Sequence, residues 1–335
     1  LVRMLTKALV AESITILYET KMVSIMKGNR GQIKSITIQD RDGLSTINCR
    51  SVVLACGGFE ANSEMRIKYL GTKWENAKVR GSRYNTGDGH RAALDIGAAT
   101  NGQWTGCHGT PIDLYAPKMG DLALTDAMPR RSYNLGIMVN LDGNRFTDEG
   151  IGFAEQTFVQ IGSDILSQKR SRAFQIFDQR AVSHLEARYG GSRSISAGSI
   201  KELAGLIGVN PTVLMSTVDQ FNSESEDAEY LPRALDGRST GSINPSKSNW
   251  AIKIDKPPFL AYAVTGSITY TYGGLKIDEY ARVLDMEDNP ITGLYAAGEI
   301  VGGIFYHNSL RAAGLMHGSV FGKLAGQHAG ELANH

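Results

Sequence analysis

Two apolar runs break into glycine in the same way, and they constrain the fold more than any other feature of the chain. Ser51-Val52-Val53-Leu54-Ala55 ends in Cys56-Gly57-Gly58, and Leu294-Tyr295-Ala296-Ala297 ends in Gly298-Glu299. A short continuous apolar run is the pattern of a strand buried in a parallel sheet, and open α/β sheets bind ligands past the carboxyl ends of such strands. Glycine at the exit lets the backbone approach a ligand closely. One exit lies early in the chain and the other near its end, so a single sheet must be assembled from both, with a second unit inserted between them.

A length of 335 residues agrees with two units, and 38 glycines exceed the usual share of about 7%. Lys and Arg number 35 against 34 Asp and Glu, which leaves no basic excess for a nucleic-acid backbone. Cys49, Cys56 and Cys107 are odd in number and lack CxxC spacing, so neither a disulfide framework nor a zinc site is expected. Free buried thiols point to a reducing, cytoplasmic setting. No apolar run approaches the ~20 residues of a membrane span, and no metal site is expected.

Local patterns divide the chain into three zones. Leu1 to Leu9 has the period of an amphipathic helix. Ile14–Tyr18, Val23–Met26, Ile33–Ile38 and Thr46–Leu54 read as strands, with turns at Lys27-Gly28-Asn29-Arg30-Gly31 and Asp40-Arg41-Asp42-Gly43. Thr86-Gly87-Asp88-Gly89 precedes a helical pattern from His90 to Gly97. In the middle zone, Phe158–Gln168 and Ile200–Leu206 read as helices. Ser199 and Glu202 form a capping box there, and Asn210-Pro211 starts a further helix. Ser223 to Trp250 is polar and loop-like. A last helix is expected from Gly314 to Leu332. The expected architecture is α/β: residues 1–105 and 259–335 form a Rossmann-like domain split in sequence, and residues 106–258 form an inserted α+β capping domain. Glu299 is placed to accept from sugar hydroxyls; a solvated turn acid is the alternative.

The pieces VVLACGGFEAN, NTGDGHRAALDIGA, GIMVNLDGNRFTDEG, TYTYGGLKID and GLYAAGEIVGG occur in order over essentially the whole chain. Together they resemble the FAD-dependent fumarate reductase/succinate dehydrogenase flavoprotein family, with RFTDEG and AAGEIVGGIFYHN most similar to its tricarballylate dehydrogenase-like branch. The resemblance implies an FAD domain, a capping domain, and hydride transfer between flavin N5 and a C–C bond beside a carboxylate or carbonyl. It implies a small carboxylate substrate and an unidentified electron acceptor as partners. Members normally begin with a GxGxxG turn that cradles the FAD pyrophosphate, and none occurs in this sequence. The FAD domain is therefore expected to lack its first nucleotide-binding unit, and the isolated chain to oligomerise or dissolve poorly.

The resemblance also implies roles. Val23 matches the position whose backbone meets adenine, Asp88 an FAD-contacting acid, and Glu299 the acid on the ribityl or ribose hydroxyls. Ala55, Gly57, Gly58 and Gly298 belong to the two strand exits against the cofactor. Tyr270 stands where relatives often place a flavin-contacting His. Ala312, Ala313 and Gly314 match the small residues beside the isoalloxazine, at a helix start whose positive end favours a reduced, anionic flavin. His108 matches the substrate-carboxylate histidine. Arg130 and Arg131 lie near a substrate-side arginine, Arg311 is a candidate carboxylate clamp, and His307 a candidate proton carrier.

Two departures oppose fumarate reduction by the usual route. Phe153 occupies the position of the family's proton-donating arginine, and Thr269 that of its second substrate histidine. Dehydrogenation of a larger carboxylate, with His108 or Tyr270 as base, fits better. Arg145, Asp148 and Glu149 read as salt-bridging residues at a hinge. The alternative function is a non-catalytic remnant that binds a small carboxylate or a partner without flavin.

Overall fold

The computed structural model describes every residue except Thr125, Arg311 and His335. Helix α1 (Val2–Ala11) leads into a meander of β1 (Lys21–Lys27), β2 (Ile33–Asp40) and β3 (Gly43–Asn48). Then come β4 (Val52–Leu54), α2 (Ser63–Met65), β5 (Lys78–Val79), α3 (Asp88–Leu94) and β6 (Thr100–Asn101). The middle section holds β7 (Cys107–Asp113), β8 (Ile137–Asn140), α4 (Ala154–Leu166), β9 (Ala173–Phe177) and α5 (Gln179–Val182). It continues with β10 (Ser194–Ala197), α6 (Ile200–Ile207) and α7 (Pro211–Ser223). The chain closes with β11 (Phe259–Thr271), β12 (Gly274–Leu275), β13 (Arg282–Leu284), β14 (Pro290–Ala296) and α8 (Ala313–Asn334).

The two glycine-terminated strands meet. β4 pairs with β14 in parallel, Leu54 opposite Ala296, so both exits open at the same end of one sheet. Leu54, Leu294, Ala296, Ile300, Ala92 and Ala93 are buried together with Ile25 and Ile33 of the meander. Burying the leucine and isoleucine side chains supplies about 1.5–3 kcal/mol each, which joins the meander and α3 to this sheet.

The larger sheet runs β10-β11-β9-β8, with β7 and β5 also on β11. Its 13-residue strand β11 is the shared spine. On one side of it Ile137, Ile176 and Ala261 bury against Leu203 of α6 and Leu214 and Phe221 of α7. Local chemistry sets both helix starts. Ser199 Oγ accepts from Glu202 N at 3.2 Å, and Glu202 reaches back to the Gly198 amide at 3.0 Å. Asn210 Oδ1 accepts from Thr212 N at 2.9 Å ahead of Pro211.

The structure corrects three expectations. Ile14–Tyr18 is irregular rather than a strand: no other segment pairs with it, and Ile14, Leu17 and Tyr18 face solvent. Thr46–Leu54 is two strands, because the chain leaves the meander at Cys49-Arg50-Ser51 before joining β14. β4 is parallel as expected but lies at the edge of its three-stranded sheet, which leaves Val53 exposed. Among the described residues, α1 has no buried side chain. No helix of them is long and apolar enough to cross a membrane, and no group of three or more His, Cys, Asp or Glu is placed to hold a metal.

Candidate active site

A β-bulge organises the site. β7 runs antiparallel to β11 with Ile268 opposite Gly109 and Tyr270 opposite His108, so Thr269 is an extra residue in β11. A bulge turns its side chain out of the regular alternation. β5 pairs with the same stretch of β11 from Ser267 to Ile268, and the Arg80 amide extends that ladder by donating to the Ile268 carbonyl at 2.8 Å. Arg80 therefore meets the bulged residue, and its Nε donates to Thr269 Oγ1 at 2.9 Å. Arg131, just past the residue that bridges to β7, donates from Nε to Thr110 Oγ1 at 3.1 Å. Its guanidinium lies over the Phe158 ring of α4, 4.5 Å from the centroid.

These groups share a cavity of about 700 Å³ lined by Arg80, His108, Arg131, Tyr270, Ala312 and Gly314 among others. His108 is held from two sides: its Nδ1 lies 2.9 Å from Ser309 Oγ, and its ring lies 4.8 Å from that of Phe158. Burial, then Arg80 and Arg131, push its pKa down to about 3, so the imidazole is neutral near pH 7. Arg80 is itself depressed to about 10, by burial first and Arg131 next. Two cations, a neutral histidine and the Glu155 carboxylate face this one volume, and the two guanidiniums are the groups in it suited to receive an anion. Burial, then Glu299 and Tyr272, raise the Tyr270 phenol, so it stays protonated and can donate a hydrogen bond.

The second element of the site lies at the two strand exits. Glu299 Oε1 accepts from the Thr271 amide at 2.8 Å, two residues after the bulge. A Cβ on Gly58 would lie 2.2 Å from both Glu299 Oε1 and Thr271 Oγ1, so only glycine allows this approach. Gly57 (φ +75°) and Gly298 (φ +78°) adopt left-handed backbone that glycine takes without strain. Beyond Gly57, Cys56, Lys21, Thr86, Asp88 and Gly89 line another cavity, of about 770 Å³. Asp88 accepts from Lys21 at 2.9 Å and pairs with Arg91. Burial opposes its ionisation, but bonds from Thr86, Lys21 and Arg91 outweigh that and hold it below the usual carboxylate range. Glu299, Gly58 and Thr271 line neither cavity: Thr271 follows Tyr270 of the first in sequence, and Gly58 follows Cys56 of the second by two residues.

The structure sets His108 and Tyr270 opposite each other on adjacent strands and places both with Ala312 and Gly314 in the lining of the same cavity. Ala313 begins α8. Ala55 follows β4 and is exposed; Val23 is exposed on β1, and neither lines the two cavities. His307 is apart from His108: it lines a separate cavity of about 440 Å³, and its amide donates to Gln103 Oε1 at 2.6 Å. Arg130 is buried and paired with Asp113 at 2.9 Å, and of the two arginines only Arg131 lines the 700 Å³ cavity. Arg311 lies outside the described residues. Phe153 packs on Trp250 and does not line the 700 Å³ cavity. Arg145 and Glu149 form a buried ion pair at 2.5 Å, as the salt-bridge reading expects, whereas Asp148 accepts from the amides of Gly150 at 2.8 Å and Ser248 at 3.0 Å.

Sequence reasoning missed Arg80, Thr110 and Ser309. Val79-Arg80-Gly81 sits between two recognisable pieces and carries no motif of its own. The available signal was a basic residue following a single valine, which is too common to select. Glu60 lies inside GGFEAN and drew no role.

The family described as "FAD binding domain" matches residues 1–315. A probable fumarate reductase, Ifc3, of Shewanella frigidimarina (strain NCIMB 400) is 32% identical over 305 residues, covering 87% of this chain and 46% of that protein. The NADH:acrylate oxidoreductase of Vibrio harveyi is 30% identical over 340 residues, covering 98% of this chain and 32% of that protein. The open conformation of a flavocytochrome c3 fumarate reductase superposes with a TM-score of 0.77 at 26% identity, over 98% of this chain and 55% of that one. The chain spans about half or less of the length of these relatives. Family profile, relatives and fold agree: the chain belongs to the FAD-binding flavoproteins of the fumarate reductase/succinate dehydrogenase family, whose cofactor is FAD.

Proposed function

We propose that the chain carries the catalytic site of an FAD-dependent oxidoreductase acting on a C–C bond next to a carboxylate, with a tricarballylate-like dehydrogenation as its finer reading. The observation that carries it is the juxtaposition of Arg80, Arg131 and neutral His108 in one cavity that also reaches Tyr270 and Gly314. The related reductases named above act on fumarate or acrylate, both unsaturated carboxylates. When bound, FAD supplies the hydride acceptor or donor.

The protein side divides into three tasks. Asp88 and Glu299 hold hydroxyl-bearing parts of the cofactor, with Gly57, Gly58 and Gly298 giving backbone access. Ala312, Ala313 and Gly314 form the flavin edge at the start of α8, where the helix end favours negative charge. Arg80 and Arg131 bind the substrate carboxylate; Thr269 and Thr110 fix their guanidiniums so that little side-chain freedom is lost on binding.

Proton transfer follows from the same electrostatics. The two guanidiniums oppose a proton on His108 in the empty site. A carboxylate between them cancels part of that field and raises the imidazole's affinity for a proton. His108 therefore becomes a competent base only when an anionic substrate is in place. Tyr270, held protonated, orients the substrate as a donor.

The test is spectroscopic. FAD is added to the chain, free flavin is removed, and the visible band is followed under anaerobic conditions. Bleaching by tricarballylate or another saturated carboxylate, but not by its amide, supports the proposal. So does reoxidation of the reduced form by fumarate or acrylate. A chain that takes up FAD yet responds to none of these, or that retains no FAD, sinks it.

A further inference from the structure

We propose that Glu60 is a positioning residue for Glu299: the two carboxyls, both within reach of the Asn85 amide, share one proton between them, so that Glu299 meets a ligand hydroxyl as a group able both to accept and to donate. Glu60 follows Gly58-Phe59 at the first strand exit and is fully buried. Its Oε1 accepts from Asn85 Nδ2 at 2.5 Å, and the same amide reaches Glu299 Oε2 at 3.4 Å. Glu60 Oε2 has no conventional donor among the described residues. The Asn85 amide brings the Glu299 carboxyl beside that of Glu60, and two carboxyls can bond each other only with a proton between them. A buried oxygen left without a partner costs about 1–3 kcal/mol, which the shared proton avoids.

The surroundings favour one negative charge for the pair rather than two. Arg66 is the cation on this side, but its guanidinium is spent on the carbonyls of Glu60, Trp74 and Glu75, at 2.6, 2.8 and 2.7 Å. From β11 the pair is faced by the Thr271 amide and hydroxyl and by the protonated phenol of Tyr270. From β7 it is faced by the Cys107 thiol, which burial keeps protonated. Gly81 closes the remaining side with backbone: a Cβ there would lie 3.2 Å from Glu60 Oε1. Burial raises both carboxyls, and the second charge raises Glu60 further.

The proton balance is internal. When a ligand hydroxyl donates to Glu299, the shared proton moves to Glu60 and Glu299 accepts as a carboxylate. When a ligand oxygen needs a donor, the proton sits on Glu299. No proton enters or leaves the protein in either case. The inference rests on Glu299 as the hydroxyl-binding acid of the proposed flavin site, but its test requires no flavin.

The experiment is infrared spectroscopy of the full chain near pH 7 in H2O and D2O, for wild type, Glu60→Gln and Glu299→Gln. The near-isosteric amides keep the volume, and near-ultraviolet circular dichroism checks the fold. A D2O-sensitive carboxylic-acid C=O band is expected in wild type and is lost in both variants. On addition of FAD to wild type the band persists, because the proton stays within the pair. A wild-type spectrum without such a band overturns the proposal on its own, whether or not a variant folds. So does a band that survives in both variants, which assigns it to another buried acid such as Asp164.

Discussion

Thr269 Oγ1 accepts a hydrogen bond from Arg80 Nε at 2.9 Å, and the bulge in β11 is what turns that hydroxyl toward the guanidinium. Nε is fixed, while no conventional partner among the described residues takes the terminal nitrogens. They remain available to a carboxylate, which makes the residue a ready-made fork.

Arg80→Ala is therefore expected to weaken carboxylate binding. A charge-assisted hydrogen bond contributes about 1.5–3 kcal/mol, or roughly 10- to 100-fold in Kd. Arg80→Lys keeps the charge without the fork and should fall between. Thr269→Val leaves the charge but frees the guanidinium, and should cost less than Arg80→Ala. Titration of the chain with a tricarboxylate, followed by intrinsic fluorescence, ranks the three; equal affinity across them would remove Arg80 from the site.

His108 gives a pH signature. Its pKa is depressed to about 3 by burial and by Arg80 and Arg131. The unfolded chain binds the proton more readily, so this histidine's contribution is complete above its ordinary pKa of about 6.5 and is lost as pH falls toward 3. Arg80→Ala removes one opposing charge and should move the imidazole titration upward, as should a bound carboxylate. NMR of the ring protons reads both shifts, and an unmoved titration in Arg80→Ala would contradict the proposed electrostatics.

His90 is a different buried histidine. It has no exposed surface, both ring nitrogens lack conventional hydrogen-bond partners, and it sits edge-on to Phe59 and Trp104. Burial drives its pKa to about 4, and it too opposes folding below about pH 6.5. His90→Phe leaves no polar atom to satisfy and is expected to be neutral or stabilising near pH 7, with a flatter loss of stability toward pH 5. Thermal melting across that range checks the sign.

The Arg145–Glu149 pair predicts the opposite behaviour. Both side chains are buried, and Glu149 Oε1 also accepts from the Met138 amide at 2.7 Å. Glu149→Ala strands a buried guanidinium and should cost about 3–5 kcal/mol of stability, with Glu149→Gln milder. Chemical denaturation measures it. Unchanged carboxylate affinity in the folded variant would agree with a structural role for the pair.

Gly58→Ala tests the strand exit. The added methyl must displace Glu299 or Thr271, each 2.2 Å from its position. A loss of at least tenfold in FAD affinity is expected, read by quenching of flavin fluorescence.

The sequence by itself determined the parts whose cause is local. The capping residues of α6 and α7, the turns of the meander and the two glycine exits each depend on a few adjacent residues. Tyr270 and Glu299 lie within the quoted pieces, whereas His108 and the Ala312 to Gly314 stretch lie outside them and were singled out by the resemblance alone. Tertiary structure decided the register, and register decided the site. A one-residue bulge at Thr269 selects which side chains of β11 face the cavity, and β5, far away in sequence, delivers Arg80 to it. No periodicity in either strand encodes that meeting. The same holds at Glu60 and Glu299, which lie at opposite ends of the chain. Only the parallel pairing of β4 with β14 brings their carboxyls together, because each strand alone lacks the partner that fixes where its exit points.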